Sequence, residues 1–314
     1  MKRLTALAMT MALSLASPLW AATALVGNEG SGTISLIDTA SDKVIGEIKT
    51  GGKPRGTAIH QARKVAYVSE QSSNGLLIVD IEKREVVKKV DLGESPEGVY
   101  ISRDGSLVTA AVELTNSVAF VDTAKGEVAF RIKIKGENPE HAVFSPDGRF
   151  VYVSAEEDDK LDVIDVAGRK LVAQLTLGNR PRGIAFTPDG AKAYVACERA
   201  DTVFVIDARE HKVLRTIKAG LRSNGLVMQP DGKRVYVSNG GDGNVMAIDT
   251  AKDEVVATIA VGQRPWNMAI TRDGAKVYVA NGRSNSVSVI DTAKNAVAAT
   301  IPVGQSPWGV QILD

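Results

Sequence analysis

The 314-residue chain has a single cysteine, Cys197, and only three histidines. One thiol excludes an internal disulfide framework, a thiolate metal cluster and a Cys-x-x-Cys-His haem attachment. Three histidines leave little material for a His-based metal centre, and no metal ligand is assigned. Aromatic residues make up only 5% of the chain. Charge of either sign is also not in excess, with Lys+Arg 38 against Asp+Glu 37. That balance removes the electrostatic drive for non-specific nucleic-acid binding, so no nucleic-acid partner is expected. No nucleophile elbow, phosphate loop or zinc-protease helix motif occurs, and no catalytic residue is assigned. One apolar run stands out, Leu4 to Leu15, too short to span a bilayer as a mature helix. With Lys2 and Arg3 before it and Pro18 and Leu19-Trp20-Ala21-Ala22 after it, it reads as a signal peptide over residues 1–21. The expected location is the periplasm of a bacterium, with no membrane span once the leader is removed.

What the chain does have is hydrophobic content of 44%, 29 glycines and an internal repeat. An Ile/Val-Asp pair recurs with its acid at Asp38, Asp80, Asp122, Asp165, Asp207, Asp249 and Asp291, at spacings of 42, 42, 43, 42, 42 and 42. Prolines keep the same step at Pro54, Pro96, Pro139, Pro181, Pro265 and Pro307, with Ser223 where a seventh is due. Asp-Gly pairs begin at Asp104, Asp147, Asp189, Asp231 and Asp273, and Tyr-Val pairs at Tyr67, Tyr152, Tyr194, Tyr236 and Tyr278. Within one unit, 265–304, four short alternating runs are separated by turn residues: strand a over 267–271, strand b over 276–280, strand c over 286–291 and strand d over 296–303. Four antiparallel strands in about 42 residues make a propeller blade. The prediction is an all-β, seven-bladed propeller occupying 22–314 as one domain. The C-terminal run is a strand a, and it completes the blade that the N-terminal strands b, c and d begin, which removes an exposed sheet edge.

Most repeated residues are assigned to structure. The seven aspartates recur once per blade and are spread around the ring, so they are expected to cap turns rather than to converge on a ligand. The tyrosines are expected to pack between blades, and Cys197 to be a buried small hydrophobe. Function is sought where the repeats disagree. The position after each proline reads Arg55, Glu97, Glu140, Arg182, Asn224, Trp266 and Trp308 in ring order. The next position is glycine in five blades, but His141 and Asn267 in the other two. Positions just beyond strand b, among them Glu29, Gln71, Glu113, Glu156 and Glu198, fall on the same face. Trp266 and Trp308 beside Arg55, with Arg182, Asn224 and Asn267, form a candidate site for a planar anion, stacking on the indoles and pairing with the guanidinium forks. Glu97, Glu140 and His141 form a candidate acid–base or cation site. The alternative is that the tryptophans plug the channel and the charges are a solvated rim.

The Pro-x-Gly, Asp-Gly, Tyr-Val-Ala-Asn (278–281) and Val-Ile-Asp-Thr (289–292) markers resemble the YVTN-family β-propeller repeat in all seven units. With its leader and length, the chain is similar to the β-propeller proteins associated with PQQ-dependent catabolism in Gram-negative bacteria. That resemblance implies a non-enzymatic binding or accessory role. It makes PQQ a candidate ligand, and a periplasmic PQQ-dependent dehydrogenase or an ABC-type transporter component a candidate partner. It supplies no catalytic residue to carry over. Two alternatives stay open: a lactonase- or cycloisomerase-like propeller enzyme, and a generic interaction scaffold.

Overall fold

The computed structural model describes residues 22–314; the predicted leader, 1–21, lies outside the described residues. Seven four-stranded antiparallel sheets account for almost all of that span, and the only helical pieces among the described residues are three short 3₁₀ turns. No helix among them is long and apolar enough to cross a membrane. The inner strands are buried almost throughout and the outer strands largely exposed, and the blades pack face to face through buried Val, Ile, Ala and Tyr, giving one apolar cluster per interface. We number the blades from the N-terminus. Their innermost strands are Pro307–Leu313, Pro54–His60, Pro96–Ile101, Pro139–Phe144, Pro181–Phe186, Ser223–Met228 and Pro265–Ile270. These strands contact one another in that order and close back on the first.

Closure follows the predicted splice. Pro307–Leu313 pairs antiparallel with Thr23–Asn28, so blade one takes its innermost strand from the C-terminus and its other three from the N-terminus. The turn chemistry is also as read from the repeats. The glycines of the five Asp-Gly pairs adopt φ between 66° and 74°, a region that a side chain disfavours. All seven strand-c aspartates accept backbone N–H bonds from the turn that follows. The five tyrosines are fully buried. Four of them reach the next blade's c–d turn, as when Tyr194 donates to Asp253 and Tyr278 to Asp42.

The Pro-x-Gly marker has a steric cause. A Cβ at Gly56, Gly98, Gly183 or Gly225 would stand 2.5–2.7 Å from the carbonyl oxygen of Glu97, Glu140, Asn224 or Trp266 on the next innermost strand. The strands approach too closely there for any side chain directed at that neighbour.

Candidate functional site

The loops that lead into strand a and those that leave strand b share one face, because b runs antiparallel to a. Arg55, Glu140, Arg182, Asn224, Trp266, Asn267 and Trp308, drawn from six blades, together line a cavity at the channel mouth on this face. The eighth lining residue, Arg264, was not among the sequence candidates. It sits immediately before Pro265, as Arg180 does before Pro181, and the repeat frame alone could have singled it out. Both arginines take left-handed backbone angles, φ 61° at Arg180 and 55° at Arg264. Glu97 and His141 lie deeper, each about 1% exposed.

The charges form two clusters. In the first, Arg55 bridges Glu97 and Glu29, the latter at 3.1 Å, and Gln71 donates to Glu97 at 3.1 Å. In the second, Arg182 meets Glu140 and stands 3.1 Å from both Glu156 and Glu198. Arg180 grips Glu156 through two N–H groups at 3.0 and 3.1 Å, and Arg264 reaches Glu198 at 2.7 Å. The guanidinium forks expected to receive a ligand's carboxylates are therefore occupied by the protein's own glutamates. Different blades place four arginines beside five glutamates, so the mouth carries no positive excess.

The tryptophan pair also differs from expectation. Trp308 is not a free face on the rim but is buried, and its ring stacks on His141 at 6.0 Å between centroids and 28° between planes. His141 belongs to blade four and Trp308 to blade one, on opposite sides of the ring, so the contact spans the channel. This is the plugging alternative. Trp266 remains partly exposed beneath the Arg264 guanidinium, 5.7 Å from its centroid. Asn267 donates to the Trp308 carbonyl at 3.4 Å. Tyr100, which the sequence did not single out, contacts His141 Nδ1 through its hydroxyl at 2.6 Å, while His141 Nε2 has no hydrogen-bond partner among the described residues.

Burial drives the electrostatics. It pushes the His141 imidazole down to about 4, with Glu140 opposing and Arg182 assisting. Burial and the Glu140 charge hold Glu97 well above the usual carboxylate range, against the pull of Arg55. Glu140 is itself held low: burial works against its charge, but Arg182, His141 and Arg55 outweigh it. Burial and Glu140 raise Glu156 to about 6. Cys197 is buried as expected, and burial lifts its thiol to about 12, far from a nucleophile's range.

The cavity at the mouth holds about 90 Å³. Sites for small molecules usually enclose roughly 300–1,000 Å³. The mouth therefore does not fit a fused-ring polyanion such as PQQ, either in volume or in available cationic forks.

Comparison with known proteins places this architecture among propellers. A family model described as a seven-bladed β-propeller lactonase matches residues 168–299, and one described as the cytochrome D1 heme domain matches 111–224. Hydrazine synthase of Kuenenia stuttgartiensis superposes with a TM-score of 0.80 at 23% identity, covering 86% of this chain and 92% of that one. A functionally unknown protein from Desulfotomaculum acetoxidans DSM 771 gives 0.81 at 17% identity, covering 92% and 98%. The likeness is one of fold. No curated protein matches the chain.

Proposed function

We propose that the chain is a non-enzymatic periplasmic accessory protein of PQQ-dependent alcohol oxidation. It presents the face where the innermost strands begin to a protein partner, either a quinoprotein dehydrogenase or a component of the accompanying transporter. The resemblance of the repeats and the N-terminal leader supports the setting. The observation that carries the mode of binding is the mouth itself, where paired Arg and Glu side chains from different blades leave a space of only about 90 Å³. Such a face is too full for a cofactor and is already ordered, so docking a partner on it costs little conformational entropy. Its fixed pattern of charges selects partners by complementarity more than it adds affinity. The test is affinity capture of tagged protein from its native periplasm. Retention of a PQQ-loaded dehydrogenase or a transporter component, lost in a Trp266→Ala/Asn224→Ala variant that melts normally, is the expected result. Equal retention by that variant contradicts it.

One arrangement favours a second reading. Glu140, His141 and Arg182 keep lactonase-like chemistry open in the sequence, and the fold brings them together beside Glu97 and Tyr100. The partial match to the lactonase model points the same way. His141 lies under Trp308 here, so catalysis would require the channel to open. Lactone hydrolysis by the wild type that disappears in His141→Asn would establish the enzyme reading in place of the accessory one.

A further inference from the structure

The opposite face of the ring carries the a–b hairpins and the c–d turns, and there the seam between blades four and five holds an aromatic pair. Two other seams are closed at the corresponding place by an ion pair. Lys192 opens strand b of blade five and meets Asp253 of blade six at 2.9 Å, and Lys276 of blade seven meets Asp42 of blade one at 2.8 Å. The other five seams lack both the lysine and the aspartate, among them the seam between blades four and five. Phe150 replaces the lysine and His211 the aspartate, and their rings meet edge to face with centroids 4.7 Å apart. Tyr152 fixes the imidazole through a 2.7 Å contact at Nδ1.

Three arginines surround this aromatic pair. Arg149 lies over the Phe150 ring at 4.8 Å, Arg209 stands on the c–d turn of blade five, and Arg103 on the a–b hairpin of blade three. None of the three has an ion-pair partner within 4.0 Å among the described residues, unlike the four at the mouth. Arg149 stands where blades five and seven have Ala191 and Ala275. Arg209 stands where five other blades have alanine. The nearby aspartates bond their own turns and act on the arginines only through longer-range charge, Asp147 on Arg149 and Asp189 on Arg209: Asp147 accepts from Ser145 and the Arg149 N–H, and Asp189 from Thr187 and the Ala191 N–H. Asp165 likewise accepts from the Gly168 N–H. The groove so formed encloses about 600 Å³, with Pro146, Pro188 and Val172 as apolar walls.

We infer that this groove is a binding site for a small aromatic carboxylate, its ring against Phe150 and His211 and its carboxylate on the Arg149 and Arg209 guanidiniums. An unpaired, planar guanidinium fork matches a carboxylate with two parallel hydrogen bonds, and an aromatic floor selects a flat apolar body. The volume falls within the range of roughly 300–1,000 Å³ usual for small-molecule sites. The site is independent of the docking face proposed above and lies across the ring from it.

Calorimetric titration with 2-naphthoate tests the inference, with 2-naphthamide as the uncharged control. The expected result is saturable binding of the acid tighter than about 1 mM, with the amide at least about tenfold weaker. Arg149→Ala and Arg209→Ala restore residues that the repeat itself carries, so both should fold and melt as the wild type. Each should weaken 2-naphthoate binding about tenfold or more. Absence of saturation up to about 10 mM, equal affinity for acid and amide, or wild-type affinity in the double variant would overturn the assignment.

Discussion

His141 is the residue at which burial, charge and position meet most sharply. Its imidazole is confined between Trp308 and Tyr100 and titrates at about 4, against 6.5 for the free side chain. Between those values the imidazole is protonated in the unfolded chain and neutral in the folded one, so His141 makes stability rise with pH across that window. The stabilisation is complete above pH 6.5 and is lost as pH falls towards 4, by up to about 3 kcal/mol. His141→Asn, which copies Asn267 at the same repeat position, should remove this slope. Glu156, raised to about 6, and Glu97, held well above the usual carboxylate range, contribute in the opposite sense, their stabilisation declining as pH rises, and they do so in both proteins. Denaturant midpoints measured from pH 4 to 7 check the difference, and an unchanged slope in His141→Asn would assign it elsewhere. The repeat frame was enough to place His141, Glu97, Glu140 and the mouth residues on one face. Their pairing was not legible, because it depends on the reach of Arg side chains between blades, which no spacing records. Arg55 and Arg182 therefore looked free in sequence and prove to be held by glutamates.

Among the elements, the innermost strands carry the tightest constraint. A methyl at Gly225 would stand 2.5 Å from the Trp266 carbonyl, against backbone that cannot yield without shifting blade seven. Gly225→Ala should cost about 1–3 kcal/mol, read as a fall in the melting midpoint. The equivalent change at Gly51, where nothing lies within 4 Å, meets no such clash and is penalised only by the left-handed backbone there, φ 69°. Strand order and turns were legible because the Asp-Gly, Ile/Val-Asp and Tyr-Val markers each have a local cause: a positive φ, a cap, a buried seam. The predicted strand c, 286–291, coincides with Ser286–Asp291, and strand d differs only at its last residue. Strand a begins earlier than read from Asn267, at Pro265, since its first residues pair with Asn281 across a bulge. A bulge breaks the alternation that the sequence reading relied on.

At the scale of the whole molecule, the ring is held shut by one strand. Deleting 307–314 removes Trp308, Val310, Ile312 and Leu313, all buried, and opens the inner edge of Thr23–Asn28. At roughly 1.5–3 kcal/mol for each buried side chain, the loss rivals a typical total stability of about 5–15 kcal/mol. The truncated protein should lose its cooperative melt, and a near-native transition would show that the splice is dispensable. The same closure fixes the two faces of the disc: paired charges around a plugged mouth on one, and the Phe150–His211 groove on the other. The account therefore turns on which face meets the partner. Hydrogen exchange of the protein alone and in complex with the protein partner proposed above reads this directly. Protection of the loops that lead into strand a, around Glu97, Glu140, Arg182 and Trp266, is the predicted result. Protection confined to the a–b hairpins and c–d turns, with the mouth exchanging as freely as before, would contradict it.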